Sequence, residues 1–403
     1  MSELLYLDTA RLGRMSPGAA AAHRDFAALA SDEGGGLYFD RFLAAGLPDC
    51  PAGFVDRYPG LSPWEGMGRL KAGLRAVAGC DPSTPVLLAS RTASLLRFAA
   101  RFLFRPCRNV FVTDLDWPAY RHVLIEEAVL AGRQVTALPV LADVLAGRLP
   151  ESRLVDRVCE RFAAAKCDGL FLTAVSNLGV RFPVERVVRR LEGRCTVRAV
   201  VVDGAQEFAQ VAGSMAVGVS DLYLAGSHKW LGGYHPLGIA FAGRRRSLGR
   251  VPTVLESELA AGELDDPLMR LVGRLEERRG DLISETVSLA PVFTAQGAVA
   301  DRVRAAGVES VRVRNREAAA VALADSGWRP LTLDPEYRTG VLLVQAEQRA
   351  TRDRLPEATR AGLRDRGIAA SAYPHGLVRL SMPASSWQPG ELDSLRRILT
   401  AVA

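Results

Sequence analysis

The chain has 403 residues, 48% of them hydrophobic and 24% charged, a composition that suits a large globular core and argues against a disordered, collagenous or disulfide-framed protein. No run approaches the ~18 apolar residues that span a bilayer, and Glu3 and Asp8 precede any apolar run, so we expect no membrane partner, no secretory signal and a cytoplasmic location. The formal charge of +6 raises nucleic acid as a partner, but the only tight basic run, Arg244-Arg245-Arg246, follows an apolar strand-like segment and reads as a solvated strand end, so none is expected.

Taken in chain order, residues 85–90 read as a strand and 93–105 as an amphipathic helix. A second strand covers 109–114, and Pro118 suits the first turn of a helix over 118–131. Further strands are expected at 134–140, 169–175, 197–203 and 222–225, with amphipathic stretches at 153–165 and 184–192 between some of them. Repeated strand–helix alternation predicts an α/β fold, a mainly parallel sheet covered on both faces. Beyond about residue 249 the texture changes. Residues 266–305 are helical in pattern, followed by a strand (340–346), a helix (352–366), two strands (368–373 and 377–382) and a closing helix (390–402), which together read as a smaller α+β lobe.

Six cysteines, Cys50, Cys80, Cys107, Cys159, Cys167 and Cys195, are dispersed without a C-x-x-C pair and read as reduced core thiols. Five scattered histidines lack ligand spacing, so no metal site is expected.

The most informative segments are Val200-Val-Val-Asp-Gly-Ala-Gln206 and Leu222-Tyr-Leu-Ala-Gly-Ser-His-Lys-Trp-Leu-Gly-Gly233. One strand ends in Asp203, and 26 residues later another leads into Ser-His-Lys-Trp. In a parallel sheet both ends emerge at the same carboxyl edge, where ligands bind. A carboxylate and an amine can then face one another across a cofactor, the pairing that pyridoxal-5′-phosphate (PLP) chemistry needs.

These segments resemble the fold-type-I PLP enzymes of the class-V aminotransferase superfamily, in the branch with cysteine desulfurases, kynureninases and isopenicillin N epimerases. The resemblance implies a large PLP-binding domain with a seven-stranded, mainly parallel sheet over residues 31–265. It adds an N-terminal segment (1–30) packing on the small domain, and an interdomain helix with a small C-terminal domain over 266–403. It further implies a homodimer and a small-molecule amino-acid substrate. Lys229 would carry the cofactor as an imine and move the proton at the substrate α-carbon. Asp203 would pair with the pyridinium nitrogen, and Gln206 would lie near the phenolic oxygen. Ser227 and His228 would contact the phosphate. Ser90-Arg-Thr-Ala-Ser94 resembles the family's phosphate loop, bringing the Arg91 and Thr92 amides and the Thr92 hydroxyl to the phosphate at a helix N-terminus. Asp114-Leu-Asp-Trp-Pro118 matches the place of the stacking aromatic ring, here Trp117. Ala174-Val-Ser-Asn-Leu-Gly179 places Asn177 against cofactor or substrate carboxylate, and Val378-Arg-Leu-Ser381 makes Arg379 the clamp for the substrate carboxylate.

Three departures bear on the reaction. No cysteine follows Cys195, so a late persulfide-forming cysteine is missing. Trp117 stands where desulfurases carry a histidine, which leaves Lys229 as the main proton carrier. Glu258-Leu-Ala-Ala-Gly-Glu263 lacks the Gly-Thr pair by which many relatives reach the partner subunit's phosphate. The S-H-K-W form resembles the lyase and epimerase branch more than the transaminases. The leading expectation is therefore a β-eliminating C–S lyase. Behind it stand an aminotransferase, then an epimerase or racemase, and a non-catalytic PLP-fold binding protein.

Overall fold

In the computed structural model, residues 4–34, 39–46, 53–211, 215–277, 287–305 and 307–403 are described. After a short β1 (Leu5–Tyr6), seven strands follow: β2 (Val86–Ala89), β3 (Asn109–Thr113), β4 (Gln134–Leu138), β5 (Gly169–Thr173), β6 (Ala199–Asp203), β7 (Leu222–Gly226) and β8 (Gly238–Phe241). They form one sheet in the order β2-β8-β7-β6-β5-β3-β4. Only β8 runs against its neighbours, pairing antiparallel with both β2 and β7; every other pairing is parallel. The expected mainly parallel sheet is what forms.

The central strands β3, β5, β6 and β7 are buried at every position. Their unbroken apolar runs, such as Ala199-Val-Val-Val, follow from helices covering both faces. One face packs on a core containing Phe111, Leu170, Val200 and Tyr223. The other packs on Phe98, Phe102 and Val112, with Phe171 and Leu224. The helix Thr92–Phe104 lies on this second face through Leu95, Leu96, Phe98, Ala99 and Phe102, all at helical spacing.

The C-terminal part adds β9 (Trp328–Pro330), β10 (Val341–Ala346), β11 (Ile368–Ala369), β12 (Ser371–Tyr373) and β13 (Leu377–Ser381). An antiparallel sheet β12-β13-β10-β9 is backed by the helices Val308–Ala322, Pro356–Asp365 and Glu391–Val402. The stretch 368–373, expected as one strand, is two: β11 pairs parallel with β1, and β12 pairs with β13. The helix Val308–Ala322 and β9 lie where the sequence reading assigned nothing. The helical pattern of 266–305 resolves into Pro267–Glu277 and Ala290–Arg304.

The N-terminal segment ties the two sheets together. Leu7 is buried in the C-terminal core, while the helix Pro17–Glu33, capped by the Ser16 hydroxyl, packs on the helix Ala290–Arg304. Between them Gly13 donates its N–H to the His228 carbonyl at 2.8 Å. A Cβ on Gly13 would sit 1.9 Å from the Lys229 carbonyl oxygen, so only glycine lets the chain cross here.

Cys50 lies outside the described residues; the other five cysteines are free thiols. Among the described residues no helix is long and apolar enough to cross a membrane. Arg244 and Arg246 are not merely solvated. Arg246 forks onto the buried Asp221 carboxylate at 2.8 and 2.7 Å, and Arg244 pairs with Glu192 at 2.8 Å.

Candidate active site

The carboxyl ends of β3, β5, β6 and β7 open on a cleft of ≈ 520 Å³ lined by Trp117, Asn177, Asp203, Gln206, Lys229 and Arg379. The parallel sheet brings these together: each residue lies at or just beyond the end of a strand, apart from Arg379, which comes from β13.

Asp203 and Lys229 both line it. Register places Thr173 opposite Asp203 and Asp203 opposite Leu224, so the carboxylate sits in mid-sheet. Burial pushes the Asp203 carboxyl up, opposed by the Ala205 N–H at 3.0 Å and by the Lys229 charge. Burial likewise pushes the Lys229 amine down; Asp203 opposes this and Arg379 adds to it. Each is thus the other's main compensating charge in a poorly solvated site.

Beside Lys229, the His228 imidazole is held neutral: burial and the Lys229 charge lower it to about 4. Its Nδ1 is buried and has no hydrogen-bond partner. Thr92, the first residue of its helix, lies against it: a Cβ on Gly226 would meet Thr92 Oγ1 at 3.0 Å and His228 Nδ1 at 3.1 Å. That helix N-terminus and the His228 ring therefore share one corner of the site. The Thr92 hydroxyl donates to the Ala225 carbonyl at 3.1 Å, and the Arg91 side chain is exposed at the N-cap. Ser227 is fully buried and donates its hydroxyl to the His235 carbonyl at 2.7 Å.

Gln206 is also committed to structure. Its amide donates to the Ala10 carbonyl at 2.7 Å, and its oxygen accepts from Trp230 Nε1 at 2.8 Å. Trp117, at the N-cap of the helix Pro118–Leu130, is 46% exposed and walls the mouth of the cleft. Opposite it, the buried Arg379 donates to the Asn177 carbonyl at 2.6 Å, Ser371 Oγ at 3.0 Å and Asp8 Oδ1 at 3.2 Å. Arg379 Nε is buried without a partner.

Several contributors escaped the sequence reading. Asp116 is fully buried, accepting from the Thr173 hydroxyl at 2.7 Å and the Thr113 N–H at 3.2 Å. Burial, with Asp203 adding, raises it to about 7. Asp266 fixes the turn before Thr92, accepting from the Ser90 N–H at 3.0 Å and its hydroxyl at 3.1 Å. Tyr120 lines the cleft near Asp203, and burial raises its phenol. Asp116 lies within the Asp114–Pro118 segment; Asp8, Asp266 and Ser371 carry no local signal.

The architecture is that of the fold-type-I PLP-dependent enzymes: a mixed seven-stranded sheet domain and a smaller α+β part. A cysteine desulfurase from Escherichia coli superposes with a TM-score of 0.69 at 16% identity, covering 99% of this chain and 94% of that one. A cystine C–S lyase, solved in complex with cysteine persulfide, gives 0.68 at 14% identity, covering 99% and 98%. An alanine–glyoxylate aminotransferase from Nostoc sp. gives 0.68 at 17% identity, covering 100% and 96%. No family model and no curated protein matches the sequence.

Proposed function

We propose that this chain is a PLP-dependent enzyme acting at the α-carbon of a small amino acid, by β-elimination of a sulfur leaving group. The observation that carries the reading is the buried Asp203 carboxylate at the end of β6, with the half-buried Lys229 amine lining the same cleft at the carboxyl edge of the sheet. The residues suit the cofactor: an amine of lowered pKa to hold its aldehyde, a carboxylate without a cation other than Lys229 for its ring nitrogen, and the orphaned His228 Nδ1 beside a helix N-terminus for its phosphate.

Bound PLP would supply an electron sink for the negative charge that develops at the α-carbon. Asp203 would keep the pyridine nitrogen protonated. Thr92 and His228 would hold the phosphate end, and Trp117 would wall the mouth of the cleft. Arg379 and Asn177 orient the substrate carboxylate. The Lys229 amine would accept the α-proton, and burial, by lowering its pKa, favours the neutral, basic form.

Two features of the cleft support elimination over transamination. Trp117 is not an acid, and a thiolate leaves without one. No described cysteine lines the cleft, so sulfur departs as a free thiol or sulfide. The net reaction converts the amino acid and water into keto acid, ammonia and thiol. A homodimer with the cleft near the subunit boundary, a cytoplasmic location and no nucleic-acid partner complete the proposal.

Incubation with cysteine thioethers, without a keto-acid acceptor, tests it. Catalytic release of ammonia and keto acid is expected. Stoichiometric arrest as pyridoxamine phosphate, relieved only by added keto acid, would instead mark an aminotransferase.

A further inference from the structure

A second cavity, ≈ 940 Å³, also reaches Lys229. Its walls come from the N-terminal segment, the turn Trp230–Gly232, the helix Ala290–Arg304 and the start of the helix Val308–Ala322.

Arg312 lines this cavity with 5% of its surface exposed. It donates from Nη1 to the Ala209 carbonyl at 2.8 Å and lies over the Trp230 ring, 4.9 Å from the centroid. Its Nε is buried with no partner, and it forms no ion pair with any described residue. The neighbouring charge it feels is another cation, Arg302, whose Nε is likewise buried and unpartnered. Arg302 pairs with Glu309 and donates to the Ala305 carbonyl at 3.0 Å. The cavity's own carboxylates are engaged elsewhere. Asp301 accepts from the Gly18 N–H at 2.6 Å and pairs with Arg304 at 3.1 Å, and Glu391 accepts from the Gln388 N–H at 2.7 Å.

A guanidinium out of water without an anion is costly, and a planar fork with a free edge matches a carboxylate or phosphate. We propose that this cavity is a second ligand site, taking a small molecule that bears a carboxylate or phosphate group, with Arg312 as its anchor and Arg302 adding positive charge. Burial lowers the Arg312 guanidinium to about 9, a shift that an adjacent anion reverses. Occupancy is felt at the first cleft, because Trp230 follows Lys229 and donates to Gln206.

The full-length protein, purified in chloride, is titrated at constant ionic strength with pyrophosphate and separately with citrate. Tryptophan fluorescence and the thermal midpoint report binding. A saturable change with at least one of them is expected, the stronger response naming the phosphate or the carboxylate source. Arg312→Gln should weaken the apparent Kd by about tenfold or more, the loss of one charge-assisted fork. If that variant does not fold, Arg312→Lys, which keeps the charge and loses the fork, should show the same fall. No saturable response to either anion, or an unchanged response in the folded variant, overturns the site. So does a dimer structure in which a partner carboxylate sits on Arg312.

Discussion

Arg379, on β13, donates from Nη2 to the Asp8 carboxylate at 3.2 Å, a contact between residues 371 positions apart. Both residues are nearly buried, at 3% and 8% exposure. The N-terminal segment therefore helps set the position of the guanidinium, together with Asn177 and Ser371, and Nε is left without a partner. Removing one member of such a pair strands the other charge. Asp8→Ala should lose about 3 kcal/mol in denaturant unfolding and raise KM for the amino acid more than it lowers kcat. Unchanged stability and KM would show that Asp8 does not position Arg379.

Asp203→Asn isolates the role of the mid-sheet carboxylate. An amide of the same shape cannot hold a ring proton, so PLP should still bind while α-proton removal slows roughly a hundredfold or more. Exchange of the substrate α-hydrogen with deuterated solvent measures that step. An exchange rate near wild type would mean that the ring nitrogen is served by another group.

His228 gives a pH signature of the cofactor-free protein. Its folded pKa of about 4 lies below the ordinary 6.5, so between these values the unfolded chain binds the extra proton. Stability is then fully present above pH 6.5 and falls as pH drops toward 4, by about 3 kcal/mol. His228→Asn should flatten that slope. Phosphate beside the ring favours the imidazolium, so PLP should move the His228 titration upward in NMR. An unmoved titration would place the phosphate elsewhere.

The legible part of the site was the part written locally. Asp203 and Lys229 stand at the ends of apolar strand patterns, and a parallel sheet brings such ends to one edge. The strands β3, β5, β6 and β7 were legible for the same reason: buried on both faces, they read as uninterrupted apolar runs. What could not be read was what depends on distant chain. Gln206 is held by Ala10 and Trp230, and Asp266 reaches Ser90 across 176 positions. The break between β11 and β12 was hidden because β1, from the other end of the chain, supplies the partner.

The resemblance to the class-V aminotransferase superfamily implies a homodimer, so sedimentation at micromolar concentration should find one. An active monomer would contradict that part of the proposal.

The central claim is that Lys229 holds the cofactor. Protein purified with PLP should be yellow, and borohydride followed by peptide mapping should find the reduced pyridoxyl group on Lys229. Lys229→Ala should take up no label there and lose turnover. A pyridoxyl group on a different lysine, or a protein that reconstitutes with no PLP at all, would contradict the account.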